Sequence, residues 1–350
     1  MVVTRAARVF LALMTGCLGT GPANAMGTGT RSLVSLTRFV RPGTAVEPPF
    51  DSANLLGSLV SVSGPTVTMG EPFAGAYRGA AALFTYTAKG WQHSGQLEGQ
   101  AAHGTFGYSV AMSGPTVVVG AMSQDHGVGG AYVFTKDSRT WGMPQELNGS
   151  ASSMGSNFGE SVATDGSTVV VGAPSLGVTG AAYVFAKTAG GWRQTAELKG
   201  ADPIGEGLDG FGYSVALFGR VAVIGSYNDD DGAGFVYVFV LTDGDWREVA
   251  RLKASNGQPG DSFGYSVAIA EDIIVVGAPQ HGFTGAAYVF SDGAHGWQQA
   301  AEVVGSDTRM DDWFGGSVAI SGGTIVVGAD EHADDSGRAY VFNNTGRRWK

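Results

Sequence analysis

The chain has 350 residues, of which 43% are hydrophobic and 15% charged, and a formal net charge of −10. This composition is typical of a folded protein with a core and excludes a largely disordered chain. The acidic balance argues against proteins that bind nucleic acid or anionic membrane surfaces, because both depend on clustered Lys and Arg. A cationic partner or a divalent cation fits the charge better.

Residues 1–25 have the three-part pattern of a secretory signal peptide. Basic residues precede the apolar run 9–14, and Ala23-Asn24-Ala25 is a small-x-small cleavage site. The mature protein is therefore predicted to be secreted. Met14-Thr15-Gly16-Cys17 loosely resembles a bacterial lipobox, so a lipid anchor at Cys17 is the alternative. No other stretch is long enough for a transmembrane helix.

A repeated unit follows a predicted linker at residues 26–38. Each copy opens on an anchor, usually Phe-Gly, reaches a glycine 14 residues later, and continues to a segment such as Tyr-Val-Phe with a Trp seven residues past it. The anchors lie near residues 56, 106, 158, 211, 263 and 314, and the tryptophans are Trp91, Trp141, Trp192, Trp246, Trp297 and Trp349. A period of 50 to 53 residues is typical of solenoids, propellers and arrays.

The second copy shows how one unit is expected to fold. Residues 108–112 alternate small polar with apolar side chains, residues 116–119 are a β-branched run, residues 131–134 are a third apolar segment, and Trp141 begins a fourth. Four-stranded units repeated radially form a propeller, which hides sheet edges by closing into a ring. Residues 39–350 are thus predicted to form an all-β, six-bladed β-propeller of four-stranded antiparallel blades. The first strand should be innermost, and the tryptophans should pack between blades.

The sixth copy ends at Lys350, one residue after the Trp that begins its fourth strand. Phe39 lies 17 residues before the first anchor, as the tryptophans of copies two, four and five lie 17 residues before the anchors that follow them. Residues 39–46 therefore have the register of an outer strand, where Pro42 is tolerated because one side is unpaired. We expect this N-terminal strand to close the last blade.

The repeat resembles the FG-GAP repeat of integrin-α-like β-propellers. The second element of that repeat is intact as Gly172-Ala173-Pro174 and Gly277-Ala278-Pro279, and partly kept as Gly120-Ala121-Met122 and Gly328-Ala329-Asp330. The resemblance covers residues 39–350 and implies a propeller used for extracellular recognition, as an adhesion domain, a lectin-like domain or an accessory domain beside an enzyme. Integrin propellers close with seven blades, whereas this sequence has six copies.

Integrin repeats carry an Asp-rich Ca²⁺ loop between their first two strands, and this chain departs from that pattern. The corresponding positions hold turns such as Ser113-Gly114-Pro115 and Asp165-Gly166-Ser167, with too few oxygen ligands for Ca²⁺. The calcium sites that the resemblance implies are therefore not expected at these turns.

The second-to-third loops and the blade-to-blade loops should share one face of the propeller, and these loops vary among the copies. Variable loops on a rigid scaffold commonly carry binding residues. The candidate ligand-binding residues on this face are Asp229, Asp230, Asp231, Asp311, Asp312, Asp334 and Asp335. A weak Ca²⁺ site is a candidate at Asp229, Asp231, Asp330 and Asp334. The alternative is that acidic loops only keep a secreted protein soluble.

The sequence carries none of the common catalytic motifs, such as G-x-S-x-G, H-E-x-x-H or a P-loop. We therefore expect a monomeric, secreted or surface-anchored recognition module that is not an enzyme. It should bind an extracellular protein or carbohydrate through the acidic loops, with Ca²⁺ as the one candidate cofactor. Two alternatives stay open: a glycan-cleaving propeller enzyme that uses two rim carboxylates, and a purely structural envelope protein.

Overall fold

The strands of the protein form six antiparallel sheets in the computed structural model, which describes residues 59–99, 104–137, 140–200, 209–346 and 348–350. Within each sheet the strands follow one another in chain order, so every sheet is a meander and makes one blade. The blades form an all-β, six-bladed propeller, as the sequence predicted.

Five blades have four named strands and the sixth has three in the described residues. Blades one and two consist of β1 (Val60–Ser63), β2 (Thr66–Glu71), β3 (Ala80–Thr87), β4 (Gly90–Glu98), β5 (Ser109–Ser113), β6 (Thr116–Ala121), β7 (Gly130–Thr135) and β8 (Gln145–Leu147). Blades three and four consist of β9 (Val162–Thr164), β10 (Thr168–Ala173), β11 (Ala181–Thr188), β12 (Gly191–Leu198), β13 (Phe211–Phe218), β14 (Val221–Ser226), β15 (Phe235–Thr242) and β16 (Asp245–Leu252). Blades five and six consist of β17 (Ser266–Ala270), β18 (Ile273–Ala278), β19 (Ala286–Ser291), β20 (Gln298–Val303), β21 (Phe314–Ser321), β22 (Thr324–Ala329) and β23 (Arg338–Asn343).

The helical segments of the described residues are single turns in the second-to-third loops. They are α1 (Ala74–Tyr77), α2 (Gln124–Gly127), α3 (Asp229–Gly232), α4 (His332–Asp335) and a 3-10 turn at His281–Phe283. Because none exceeds four residues, the loops stay compact and the meander of each blade is uninterrupted.

The first strands lie at the inner edge of the ring, where those of successive blades contact one another. A repeated serine ties them together. Its Oγ donates to the backbone carbonyl of the anchor glycine in the next blade, at 2.7 to 2.8 Å, in the cases of Ser109, Ser161, Ser214 and Ser266. The small Ser and Gly residues that begin each first strand thus allow the backbones to crowd near the axis.

The anchor joins each blade to the preceding one through backbone contacts. The amide of Phe211 donates to the carbonyl of Thr179 in the preceding blade at 2.9 Å. The glycine that follows the phenylalanine, Gly212, has a φ of 93°, which favours glycine. The other half of the joint is Gly172, where a Cβ would lie 1.9 Å from the Gly212 carbonyl oxygen. The two halves of the repeated motif are therefore two sides of one interblade joint.

The hydrophobic core lies between blades rather than within them. Phe158 is fully buried, and its ring lies edge-on at 5.5 Å from Tyr183 and 6.2 Å from Phe185. The same cluster includes Val118 and Leu147 of the preceding blade. The anchor phenylalanine thus fills the joint whose backbone it also hydrogen-bonds, and aromatic side chains of this size bury much of the area that holds blades together.

The tryptophans lie mostly at the margins of these interblade clusters. Trp192 is 6% exposed, but Trp91, Trp141, Trp246, Trp297 and Trp349 are only half-buried. Each stands at the start of an outer strand, so part of the ring faces solvent. The prediction that all six tryptophans form the blade-to-blade core holds fully for Trp192 and in part for Trp141, Trp246, Trp297 and Trp349. Trp91 instead packs edge-on against Tyr86 of its own blade.

The outer side of blade six differs from that of the other blades. Val341 in β23 is 50% exposed, whereas its counterparts Val184 and Val238 are 0% exposed. A short bridge between Asn344 and Trp349 is the beginning of a fourth strand. The predicted closing strand at residues 39–46 lies outside the described residues, as do the predicted signal peptide and linker. Closure by that strand stays a prediction.

The interblade joint predicts a sharp difference between two glycine substitutions. Gly172→Ala should lower the free energy of unfolding by at least about 2 kcal/mol, because the new methyl group collides with the backbone of the next blade. Gly293→Ala is the matched control, since a Cβ there meets nothing within 4 Å. Chemical denaturation of both variants checks this, and equal stabilities would contradict the assigned role of the joint.

A pair of deletions tests the closing strand. Removing residues 26–48 should lower the melting temperature of the mature chain by at least about 5 °C, because β23 would lose the strand predicted to cover its edge. Removing only residues 26–38, the predicted linker, should leave it nearly unchanged. Equal melting temperatures for the two deletions would rule out closure by residues 39–46.

Candidate functional site at the mouth of the central channel

The second-to-third loops and the blade-to-blade loops meet on one face, here called the variable-loop face. In blade five, for example, His281 lies in the second-to-third loop and Asp261 in the preceding blade-to-blade loop. The His281 Nδ1 atom is 2.7 Å from Asp261 Oδ2. This juxtaposition agrees with the arrangement expected from the sequence. The inner edge of this face, where the first strands begin, is the mouth of the central channel.

A cluster of aromatic side chains and one carboxylate lies at this mouth. Four of its members stand two residues after an anchor phenylalanine. A fifth directly follows β14, and the last directly precedes an anchor. This channel-mouth cluster consists of Tyr108, Glu160, Tyr213, Tyr265, Tyr227 and Trp313. All six side chains are partly exposed, so they are open to a ligand.

The rings of the cluster contact one another across three blades. The Tyr213 ring lies 4.5 Å from that of Tyr227 and 5.0 Å from that of Tyr265, between centroids. Tyr227 and Tyr265 are 5.8 Å apart, and the Trp313 ring lies 6.0 Å from Tyr265. Because these contacts join blades four, five and six, the cluster is a property of the ring and not of one loop.

Electrostatic interactions extend the cluster to blades two and three. Burial raises the pKa of the Tyr213 hydroxyl, and Tyr265, Tyr108 and Glu160 raise it further. Tyr108 and Glu160 occupy, on blades two and three, the same repeat position as Tyr213 on blade four, next to the first strands that contact one another at the inner edge of the ring. Burial also raises the pKa of the Glu160 carboxyl, while a 3.3 Å hydrogen bond from the Asn157 amide lowers it.

Blade six contributes a second carboxylate. The position two residues after its anchor is Gly316, and a Cβ there would lie 2.6 Å from Asp330 Oδ1. The Asp330 carboxylate therefore occupies the space that a larger side chain fills in the other blades. None of the mouth positions in the described blades carries Lys or Arg. The mouth combines aromatic rings with negative charge.

Behind the mouth, His–Asp pairs connect the two loop types of blades five and six, and the pair of blade six is buried. His332 Nδ1 lies 2.6 Å from Asp312 Oδ2, and both side chains are at least 90% buried. His281 and Asp261 form the equivalent pair at 2.7 Å. In each pair the aspartate stands two residues before the anchor and the histidine 20 residues after the aspartate. These contacts fix the loops that surround the mouth.

In blade four, Asp209 and Asp229 occupy the two positions that the Asp and His of such a pair take in blades five and six. Asp229 is 2% exposed, and its Oδ2 accepts hydrogen bonds from the Tyr237 hydroxyl at 2.8 Å and from Arg251 at 3.3 Å. Burial raises the pKa of the Asp229 carboxyl. Burial first, and then the charge of Asp229, raise the pKa of Asp209 to about 6. The Arg251 guanidinium partly offsets this.

The predicted binding aspartates are thus divided between interior and surface. Asp229 and Asp312 are buried and already paired, so they are poor candidates for direct ligand contact. Asp231 and Asp311 are exposed and Asp230 is half-buried, all three with positive φ. Asp334 and Asp335 lie in α4, and their side chains are outside the described part of the structure.

The candidate Ca²⁺ ligands belong to two different blades, and a Ca²⁺ site among them stays a prediction. Asp229 and Asp231 belong to blade four, whereas Asp330 and Asp334 belong to blade six. Among the described residues, no group of three or more His, Cys, Asp or Glu side chains could hold a metal ion. The Asp330 carboxylate lies at the channel mouth instead.

The sequence analysis did not identify the channel-mouth cluster. Tyr108, Tyr213 and Tyr265 directly follow Phe-Gly, where the first strand of each blade begins. The signal in the sequence that could have identified the cluster is the residue after Phe-Gly, which is Tyr in three copies and Glu in another. Close packing of the first strands near the axis requires only small side chains. Large side chains at such a position indicate a role beyond packing the ring.

Comparison with known families agrees with this architecture. The model of the FG-GAP repeat matches residues 98–134, 141–185, 192–239, 246–290 and 297–342. These ranges cover more than half of the chain, and the protein belongs to the FG-GAP repeat family. Each range runs from the outer strand of one blade through the third strand of the next, so the family unit spans the interblade joint.

Among solved structures, the chain is similar to the periplasmic gluconolactonase PpgL of Pseudomonas aeruginosa. The TM-score is 0.55 at 15% sequence identity, over 83% of this chain and 82% of that chain. At this identity the likeness concerns the fold alone. No curated protein matches the sequence. Across the described ranges, no helix has the length and apolar character needed to cross a membrane.

The raised pKa of Asp209 predicts a pH-dependent effect on stability. Its carboxyl binds a proton more tightly in the folded than in the unfolded protein, so this group destabilises the fold above about pH 6 and ceases to do so below about pH 4. Asp209→Asn should therefore raise the free energy of unfolding at pH 7.5, by up to about 3 kcal/mol, and by much less at pH 4.5.

Denaturant unfolding at both pH values measures this difference. Asp292→Asn is the matched control, because Asp292 lies exposed in the loop between β19 and β20. An Asp209→Asn effect that is the same at both pH values, or that grows at pH 4.5, would contradict the burial argument.

Proposed function

We propose that the protein is a non-catalytic recognition module, secreted or surface-anchored, that binds an extracellular protein or glycan at the channel mouth. The observation that carries this proposal is the channel-mouth cluster, in which partly exposed aromatic rings and a carboxylate from several blades converge on one point. Binding sites commonly combine aromatic walls with a few polar groups.

The surroundings of the cluster support a binding role. Loops fixed by the pairs His281–Asp261 and His332–Asp312 surround the mouth, so its shape is set before a ligand arrives. A preorganised surface loses little conformational freedom on binding. The exposed acidic loops farther out, including Asp231 and Asp311, then form a polar rim around an aromatic centre.

The buried aspartates favour the mouth over the outer loops as the contact surface. Asp229 is held by Tyr237 and Arg251, and removing it from these partners would leave Arg251 without its carboxylate. Tyr213 and Tyr265, by contrast, already lie partly exposed to solvent. A ligand reaches them without dismantling a buried network.

A binding screen with matched variants tests this function. The purified mature chain is screened against glycan and envelope-protein arrays, with and without Ca²⁺. Tyr213→Leu and Tyr265→Leu should weaken binding of any hit at least about fivefold, since each aromatic contact of this kind is worth about 1 kcal/mol or more. Tyr86→Leu is the control, because Tyr86 is also about half exposed but lies near the opposite end of blade one.

Other outcomes of the screen point elsewhere. Unaltered binding in both mouth variants would refute the mouth as the site. Loss of binding only when Asp229, Asp230 and Asp231 are replaced by Asn, with folding intact, would place the ligand on the outer loops. Turnover of any glycan by the parent protein would make it an enzyme and overturn the non-catalytic assignment.

A further inference from the structure

Resting on the proposed function, we infer that the group recognised at the channel mouth is an organic cation, a quaternary or primary ammonium carried by the ligand. The residues that would hold it are Tyr213, Tyr227, Tyr265 and Trp313, with the carboxylates of Glu160 and Asp330 nearby. The inference names the chemistry of the bound group and leaves the rest of the ligand undefined.

The mutual angles of the rings favour a compact group over a flat one. Tyr213 is tilted by 56° to Tyr227 and by 47° to Tyr265, and Trp313 stands at 88° to Tyr265. Rings inclined to one another in this way do not form a single flat platform on which a sugar ring would stack. They form an uneven aromatic surface, and a rounded ammonium group can contact several ring faces of negative potential at once.

The charge at the mouth points the same way. Glu160 and Asp330 lie on blades three and six, and no Lys or Arg occupies the mouth positions of the described blades. The whole chain carries a net charge of −10, which attracts cations toward the protein and repels anions. An anionic or strongly electron-rich ligand group is therefore disfavoured.

Glu160 supplies an independent argument, because its ionised form lacks a strong partner among its described contacts. In the described residues its carboxylate accepts one hydrogen bond, from the neutral side-chain amide of Asn157 at 3.3 Å. Burial disfavours the charged carboxylate, which is why its pKa is raised. A bound ammonium group would provide the missing opposite charge, and the ionised carboxylate would in turn strengthen cation binding.

The test compares choline with 3,3-dimethyl-1-butanol, which has the same shape and no charge. Ligand-observed NMR titration of the mature chain should show choline binding at least tenfold more tightly than the neutral alcohol. Glu160→Gln and Tyr265→Leu should each weaken choline binding at least threefold. Glu98→Gln and Tyr86→Leu, which alter exposed residues of blade one, should leave it unchanged.

Each contrary result is informative. Equal affinity for the two probes, or no choline binding by the parent, would overturn the inference. Methyl β-glucoside serves as a third probe: its binding in a Tyr265-dependent manner without choline binding would reject the cation while leaving the mouth as the site. Loss of array hits in the mouth variants, measured separately, shows whether the proposed function survives a failure of the cation inference.

Discussion

The contact on which the whole ring depends is the close approach of two backbones at each interblade joint. The anchor glycine of one blade places its carbonyl oxygen where a Cβ of the preceding blade would otherwise lie, as Gly212 does against Gly172. Only glycine permits this approach, and the adjacent Phe211 both hydrogen-bonds the preceding blade and fills the space between the sheets. The anchor of one copy must meet the closing glycine of the preceding copy, as Gly212 meets Gly172. This contact explains why the spacing between anchor and closing glycine is the same in each copy.

This joint also explains where the protein is free to vary. Contacts across the joint constrain its phenylalanine, its two glycines and its serine, as at Ser214 and Gly264. The residue between the anchor glycine and the serine takes no part in the joint and faces the axis. This residue is Tyr213 in blade four and Glu160 in blade three. The joints are therefore the same from blade to blade, whereas the side chains at the channel mouth differ.

The sequence specified most of the fold because the fold is built from repeated local patterns. Strand alternation, turn residues and the invariant spacing of the anchors each depend on contacts that recur in every blade, so a single period exposes them. Predictions were weaker where position in the ring decides burial. Trp141 and Trp297 follow the same pattern as Trp192, yet they are more exposed, because the outer strands differ in what covers them.

The candidate site was harder to predict for a physical reason. Asp229 and Asp312 belong to acidic, loop-like segments that suggest a surface, but each lies beside a partner 20 residues away, Asp209 and His332 respectively, that is visible only once the two loops are placed together. The aromatic mouth arises from residues about 50 positions apart, such as Tyr213 and Tyr265, and their meeting depends on the curvature of the ring. The composition of the chain alone therefore does not predict the contact between these rings.

The most direct test of the account is to observe which tyrosines a ligand contacts. The protein contains 11 tyrosines, and ¹³C labelling of their rings gives each a resonance that can be followed during titration with choline. The account predicts shifts confined to Tyr213, Tyr227, Tyr265 and Tyr108, with Tyr77 and Tyr86 unmoved. Shifts confined to Tyr77 or Tyr86, or no shift at any tyrosine, would contradict the assignment of the channel mouth as the recognition surface.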